Sequence, residues 1–433
     1  MNELTIGIVG IAGLLGLITA GVPIAFALGI VGLVGHIIVT DLNQTMVQLG
    51  LLSWEHGTNF LLIAVPLFIF MGQLVARSGI ASDLYDCTYK WLGRLPGGLA
   101  VTATATSAGF GAVTGSSIAS VATMGKMIMP ELIKYRYDMR LSTGSIAAAG
   151  CLAILIPPSI PMVIYGVWTE TSIGALFIAG IIPGILTALI FVAYIVVRCV
   201  LNHELGPKGP HFPWNEKFSS LAKLLPTIVI FAVVLGGIYG GVFTPTEASA
   251  IGAVGVAIVA LTMGRLTWPI LRQTLHETGI VSAMLFAIIM GGVMFARFLV
   301  HTDVTSSLVE VIAGSSLNPY IVLFFIALMY LVLGCVLDTM GMLILTLPFV
   351  MPVVLHLGFD PVWFGVFITM MIELALITPP VGLNVYVLKR VVPQVPAIEI
   401  FWGTAPFVLL ISFSVLLLVV WPGMALWLPS LMR

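Results

Sequence analysis

Charge is what this sequence most lacks. Its 433 residues include 17 Lys and Arg and 18 Asp and Glu, 8% of the chain, against 60% hydrophobic residues. A soluble domain carries about 25% charged residues to keep its surface solvated, so a soluble globular fold is excluded. Cysteine is also scarce. Cys87, Cys151, Cys199 and Cys335 are scattered, three of them in apolar runs, which leaves no disulfide framework and no zinc spacing. The seven histidines form no pair at metal-ligand spacing. Absent too are a phosphate-binding Gly-Lys-Ser/Thr loop, a Gly-x-Ser-x-Gly elbow and a His-Glu-x-x-His pair, so neither ATP hydrolysis nor a membrane hydrolase is indicated. A net charge of -1 argues for no strongly acidic or basic partner such as nucleic acid. The start, Met1-Asn2-Glu3, has no basic n-region, and the first apolar run is expected to belong to the mature protein.

What is present is a succession of apolar runs with a mean hydropathy of +1.15. They cover approximately 4–19, 23–40, 60–76, 98–125, 141–167, 172–197, 224–240, 246–263, 278–299, 319–355, 362–388 and 405–427. Runs of about 20 residues span the roughly 30 Å hydrocarbon layer as helices. Lys and Arg divide the connections into two sets. Loops 77–97 (Arg77, Lys90, Arg94), 126–140 (Lys126, Lys134, Arg136, Arg140), 198–223 (Arg198, Lys208, Lys217, Lys223) and 264–273 (Arg265, Arg272) are basic, as is Lys389-Arg390. Loops 41–59, 168–171, 241–247, 300–318 and 356–361 hold no Lys or Arg. The positive-inside rule places the first set in the cytoplasm and the second outside.

Run 98–125 has both ends in basic connections and run 319–355 has both ends in the other set. Each is therefore expected as a re-entrant hairpin, from opposite sides of the membrane. Features also recur at an offset of 222 residues: Pro23 with Pro245, Met129-Pro130 with Met351-Pro352, Asp138 with Asp360, and Pro157-Pro158 with Pro379-Pro380. The expectation is an all-α polytopic membrane protein of two inverted-topology repeats, residues 1–201 and 224–433, joined by a cytoplasmic linker, 202–223. It has about ten crossings, two hairpins (98–125 and 319–355) and two helices broken at Pro-Pro (141–167 and 362–388). Repeats of this kind are common in secondary transporters, with the site between them at the midplane.

Candidate site residues follow from the breaks and the hairpin tips. Consecutive prolines remove two backbone donors and clash with the preceding turn, which frees carbonyls to coordinate a cation; a simple kink is the alternative. The tips read Thr114-Gly115-Ser116-Ser117 and Gly334-Cys335-Val336-Leu337-Asp338-Thr339, and the offset sets Ser116 against Asp338. Hydroxyls, carbonyls and a carboxylate suit a hard cation such as Na⁺, although serines also serve close helix packing. A carboxylate at membrane depth costs several kcal/mol, about 2.5–3.5 on insertion scales, so Asp338 is expected to hold an ion, face water or pair with Arg297. Arg297 either snorkels or meets an anionic substrate. Glu247, just after Pro245, reads as a helix cap. Glu373, six residues before Pro379, either orients the break or faces a cavity.

Several strings then carry a resemblance over nearly the whole chain. They are Pro66-Leu67-Phe68-Ile69-Phe70-Met71-Gly72, Gly115-Ser116-Ser117, Ile156-Pro157-Pro158-Ser159-Ile160, Phe177-Ile178-Ala179-Gly180-Ile181-Ile182-Pro183-Gly184, Thr244-Pro245-Thr246-Glu247-Ala248 and Thr378-Pro379-Pro380-Val381-Gly382-Leu383-Asn384. Together they resemble the large membrane subunit of tripartite ATP-independent periplasmic (TRAP) transporters. The resemblance implies a multi-pass elevator-type carrier of the bacterial inner membrane, not an enzyme, that imports an organic acid anion by Na⁺ symport. It also implies two partners, a small four-helix membrane subunit on a separate polypeptide and a periplasmic solute-binding protein. One Na⁺ site would then involve Ser116, Ser117 and the break Ile156, Pro157 and Ser159. The other would involve Gly334, Asp338, Thr339 and the break Thr378, Pro379 and Gly382. Ser116, Ser120, Ser159, Arg297, Asp338 and Asn384 are the residues expected near the solute. Many relatives carry an Asp shortly after the first tip, where this chain has Ser120. A stand-alone Na⁺- or H⁺-coupled anion carrier of related fold is the alternative.

Overall fold

Every segment that hydropathy marks as apolar is helical in the computed structural model, which describes residues 2–315 and 317–432. The helices are α1 (Glu3–Thr19), α2 (Ile24–Val39), α3 (Leu42–Gly57), α4 (Ala64–Arg77) and α5 (Ile80–Leu92). A hairpin, α6 (Gly98–Thr114) and α7 (Ser117–Lys134), precedes the interrupted series α8 (Met139–Ala149), α9 (Leu152–Leu155) and α10 (Ile160–Thr169), then α11 (Ile173–Leu201). The second series holds α12 (Trp214–Tyr239), α13 (Pro245–Thr262), α14 (Trp268–His301) and α15 (Val304–Gly314). It continues with the hairpin α16 (Pro319–Leu333) and α17 (Thr339–His356), the interrupted pair α18 (Pro361–Ile377) and α19 (Leu383–Val391), then α20 (Ala397–Val420) and α21 (Gly423–Ser430). No strand occurs among the described residues.

Helix ends recur at the sequence offset. α7 and α17 are both 18 residues long, and both their starts and their ends lie 222 apart. Asp138 and Asp360 cap the helices that follow: Asp138 accepts from the Leu141 amide at 2.8 Å, and Asp360 from Val362 at 2.8 Å and Trp363 at 3.0 Å. Each carboxylate satisfies amides that the first turn leaves without partners, at the helix end where negative charge is favourable. Thr244 and Glu247 form a reciprocal capping box on α13, the structural role expected for Glu247.

The two sets of connections occupy two faces. On one, Arg77 pairs with Glu277 at 3.2 Å, Arg265 with Asp83, and Arg140 with Glu399 at 2.6 Å. The linker joins the same face, since Gly97 N donates to Gly206 O (3.2 Å), Gly209 N to Gly93 O (2.8 Å) and Asp138 N to Leu205 O (3.0 Å). On the other face, residues of 41–59, 168–171 and 241–247 surround one broad cavity. These three loops are among those without Lys or Arg.

Hydropathy misjudged some lengths. α12, α14 and α20 begin about ten residues before the apolar runs expected at 224, 278 and 405, and the first hairpin runs to Lys134 rather than 125. A helix keeps its internal hydrogen bonds beyond the hydrocarbon, where charged side chains cost nothing to solvate, so the apolar run marks the membrane and not the helix. The linker 202–223 shrinks accordingly to the stretch before Trp214 and contains a 3-10 turn, His203–Leu205. Loops 41–59, 77–97 and 300–318 hold α3, α5 and α15. Eight described segments are long and apolar enough to cross on their own: 60–77, 139–169, 173–201, 214–239, 245–262, 268–301, 339–356 and 397–420. One of these, 339–356, is the second arm of a hairpin. The expected ten crossings need α1, α2 and α18 as well, helices of 16 or 17 residues, about 24–26 Å long.

Candidate functional site

Both hairpin tips meet at one cavity. Its volume is about 350 Å³, and its lining includes Thr114, Gly115, Ser116, Ser117, Asp338 and Thr339, with Gln73 from α4 and Leu285 from α14. It extends toward the face bearing the ion pairs through Ala76, Thr123 and Val281. α7 and α17 both begin at its wall. Ser116 caps α7 by accepting from Ala119 N at 3.3 Å, and Asp338 caps α17 by accepting from Gly341 N at 3.1 Å. The cavity therefore receives the positive ends of two helix dipoles together with hydroxyls and a carboxylate, while its lining includes no Lys or Arg.

Each tip is pressed against a helix break. Gly115 closes the first tip at φ +56°, and a Cβ there would stand 2.9 Å from Pro158 O and 3.2 Å from Ile160 N. The first tip thus lies on the break Ile156, Pro157 and Ser159, as expected. Ser159 is fully buried and its Oγ has no hydrogen-bond partner. At the second tip, a Cβ on Gly334 would lie 2.3 Å from Ala375 Cβ, three residues before Thr378. Thr378 itself turns back to Leu374 O at 2.6 Å, and Gly382 takes the left-handed conformation at φ +55°. Both Pro-Pro bonds are cis. The breaks differ in setting: Pro157 is buried, whereas Pro379 and Pro380 are exposed.

Three of the residues expected near the solute lie outside the tip cavity. Arg297 does not pair with Asp338. It lines the broad cavity on the opposite face, about 810 Å³, with Glu55, His56 and Glu170, some twelve residues or about 18 Å along α14 from Leu285. Ser120 is fully buried one turn into α7, does not line the tip cavity, and its Oγ is unpartnered. Asn384 is likewise buried away from that cavity, where its Nδ2 donates to Ser117 Oγ at 2.8 Å and to Ala147 O at 3.4 Å. In each case the side chain occupies a helical position that the sequence names, on a face that only packing decides.

Sequence reasoning passed over Cys151. Its Sγ donates to the Glu373 carbonyl at 3.4 Å across 222 residues, so the offset already paired the two positions. Glu373 is completely buried. Among the described residues no three His, Cys, Asp or Glu side chains gather as a metal cluster.

The fold and the chain have known counterparts. The crystal structure of the Alcanivorax borkumensis YdaH transporter superimposes with a TM-score of 0.63 over 90% of both chains at 14% identity, a likeness of fold alone. The C4-dicarboxylate TRAP transporter large permease protein DctM of Pseudomonas aeruginosa is 32% identical over 92% of this chain and 93% of its own. The sialic acid TRAP transporter large permease protein SiaM of Vibrio cholerae is 32% identical over 97% and 98%. The ectoine/5-hydroxyectoine large permease protein UehC of Ruegeria pomeroyi is 33% identical over 90% of each. The family profile of the tripartite ATP-independent periplasmic transporter DctM component matches residues 11–424, and this multi-pass membrane chain belongs to that family of transporter permease subunits.

Proposed function

We propose that the chain is the translocating subunit of a Na⁺ symporter that imports an organic acid anion across the bacterial inner membrane. The observation that carries this reading is the cavity between the two hairpin tips. Its volume suits a small solute. An anion there would be held by two helix N-termini and by Na⁺ at the tips, since no basic side chain lines the cavity. Ser116, Ser117 and the break at Ile156, Pro157 and Ser159 form one ion site. Gly334, Asp338, Thr339 and the break at Thr378, Pro379 and Gly382 form the other. Relatives named for C4-dicarboxylate and sialic acid support a carboxylate as the solute.

The recurrence of helix ends supports two inverted repeats, residues 1–201 and 224–433, with hairpins and broken helices moving as an elevator against the remaining helices. A potential of 100 mV supplies about 2.3 kcal/mol per charge, or roughly fiftyfold accumulation per net positive charge imported. The loops carrying Asp41, Glu55, Asp303 and Glu310 are without Lys or Arg, so they do not attract a dilute anion. A periplasmic binding protein and a small membrane subunit meet that need. In proteoliposomes the chain alone should be inactive. Uptake should require both partners and an inward Na⁺ gradient, without ATP. Na⁺-driven uptake of free solute by the single chain would overturn the tripartite reading and establish a stand-alone carrier.

A further inference from the structure

Behind the first hairpin tip, four polar side chains from four segments meet without exposed surface. They are Ser117 on α7, Cys151 between α8 and α9, Glu373 on α18 and Asn384 on α19, each 0–1% exposed. Asn384 Nδ2 donates to Ser117 Oγ at 2.8 Å and to Ala147 O at 3.4 Å, and lies 3.7 Å from Cys151 Sγ. The Ala147 carbonyl fixes the amide's orientation, because a flip would set oxygen against oxygen. The Glu373 carboxylate stands beside the same two side chains, Ser117 and Cys151. The amide and the carboxylate therefore share neighbours.

Glu373 Oε1, Glu373 Oε2 and Asn384 Oδ1 receive no hydrogen bond of good geometry, and the only donors beside the carboxylate are the neutral Ser117 hydroxyl and Cys151 thiol, neither of which balances a charge. No Lys or Arg pairs with Glu373. Such a group is costly in two ways. An unpartnered buried acceptor loses the hydrogen bonds that water gave it, and an uncompensated carboxylate loses its solvation as a charge. What the cluster lacks is a positive charge carrying no acceptor of its own. One carboxylate balances one such charge, and an amide oxygen and a hydroxyl complete a hard-oxygen set that is too weakly anionic for a divalent ion.

We propose that Glu373, Asn384 and Ser117 form a buried Na⁺ site, additional to the two sites at the hairpin tips. The proposal rests on the Na⁺-symport reading and deepens it. Ser117 gives the site its access, because it is also part of the cavity wall. An ion entering past the tip ties α7 to α18 and α19, so its occupancy fixes the first hairpin against the second broken helix. Solute held at Ser116 then depends on an ion it does not touch.

The test compares thermal unfolding and transport of the purified protein with its partners, in NaCl, KCl and choline chloride at one ionic strength. Glu373→Gln keeps the volume, removes the charge and replaces one orphaned carboxylate oxygen with an amide donor. It should unfold at a higher temperature than wild type without Na⁺, respond less to added Na⁺, and carry one Na⁺ fewer per solute by isotope flux. Asn384→Leu, which keeps the charge and loses one ligand, should need at least tenfold more Na⁺ for half-maximal stabilisation. A wild-type Na⁺ response and Na⁺-to-solute ratio in Glu373→Gln would overturn the site. So would a Na⁺-free pH response that Glu373→Gln abolishes while leaving the Na⁺ response intact, since the carboxyl would then hold a proton. Uptake by wild type that ignores Na⁺ altogether would instead remove the symport reading beneath it.

Discussion

Asp338 permits the sharpest test of the tip site, because two of its contributions can be separated. Its carboxylate caps α17 through the Gly341 amide at 3.1 Å and also faces the cavity. Asparagine caps a helix as well as aspartate does, whereas alanine forfeits about 1 kcal/mol. Asp338→Asn therefore removes charge alone, and Asp338→Ala removes charge and cap. Two unit charges 4 Å apart attract by about 4 kcal/mol at an effective dielectric near 20. Part of this is offset because a cavity-facing carboxylate gives up water when it binds the ion. A net loss of ~1.4–2.8 kcal/mol corresponds to Na⁺ affinity weakened ~10–100-fold. The assay is initial uptake against Na⁺ concentration in proteoliposomes, alongside unfolding temperature in Na⁺-free detergent. Asp338→Asn should unfold like wild type and shift the Na⁺ curve; Asp338→Ala should shift the curve as far and also unfold about a degree or two lower. An unshifted Na⁺ curve in Asp338→Asn, or equal loss of stability in both variants, refutes the assignment.

The sidedness of the loops can be read with single cysteines, which should label from outside at Asn43, Gly241 and Asn318 and resist at Tyr135 and Asn215; one shared side would end the inverted arrangement. At Gly72 a Cβ would stand 2.7 Å from Thr114 Cα, so Gly72→Val should overpack α4 against the hairpin at about 1–3 kcal/mol, seen as a lower unfolding temperature and lost uptake. A wild-type unfolding temperature in Gly72→Val would show that the contact yields freely. Asp83 and Arg265 join α5 to the α13–α14 connection. Asp83→Arg should slow uptake and the swap with Arg265→Asp should restore it, by no more than the ~0.2–1 kcal/mol of a partly exposed pair. Equal defects in single and swapped forms would deny the pair a role.

The helices, their order and the grouping of loops were legible because they follow from one-dimensional quantities: apolar length, Lys and Arg content, and proline. α3, α5 and α15 were not expected, because a helix of 11 to 16 residues with polar side chains among its apolar ones leaves no long apolar run. The hairpin tips were recognisable because small residues and one carboxylate at membrane depth have few structural uses. Which face each residue occupies was not legible. Arg297 and Asp338 lie in segments that sequence alone could place together, yet packing sends them to different cavities. Asn384 looked like a residue of its own break and instead bonds Ser117, 267 positions away. Cys151 was overlooked because a lone thiol in an apolar run resembles any small core residue. Only its contact with Glu373 shows otherwise.

That contact has an implication for how the molecule could have arisen. Residues 151 and 373 occupy matching positions in the two series of helices, and they touch. When matched positions of two related halves meet, they mark a local two-fold axis, as in an isologous dimer. Two separate identical chains would be obliged to put the same side chain on both sides of that axis. Two carboxylates would repel, and two thiols would leave the centre uncharged. Joining the halves into one polypeptide lifts the obligation, so that a single acid can stand at the centre with a compact neutral neighbour. The covalent linker thus permits what no symmetric pair can have: one carboxyl group, placed where both halves meet.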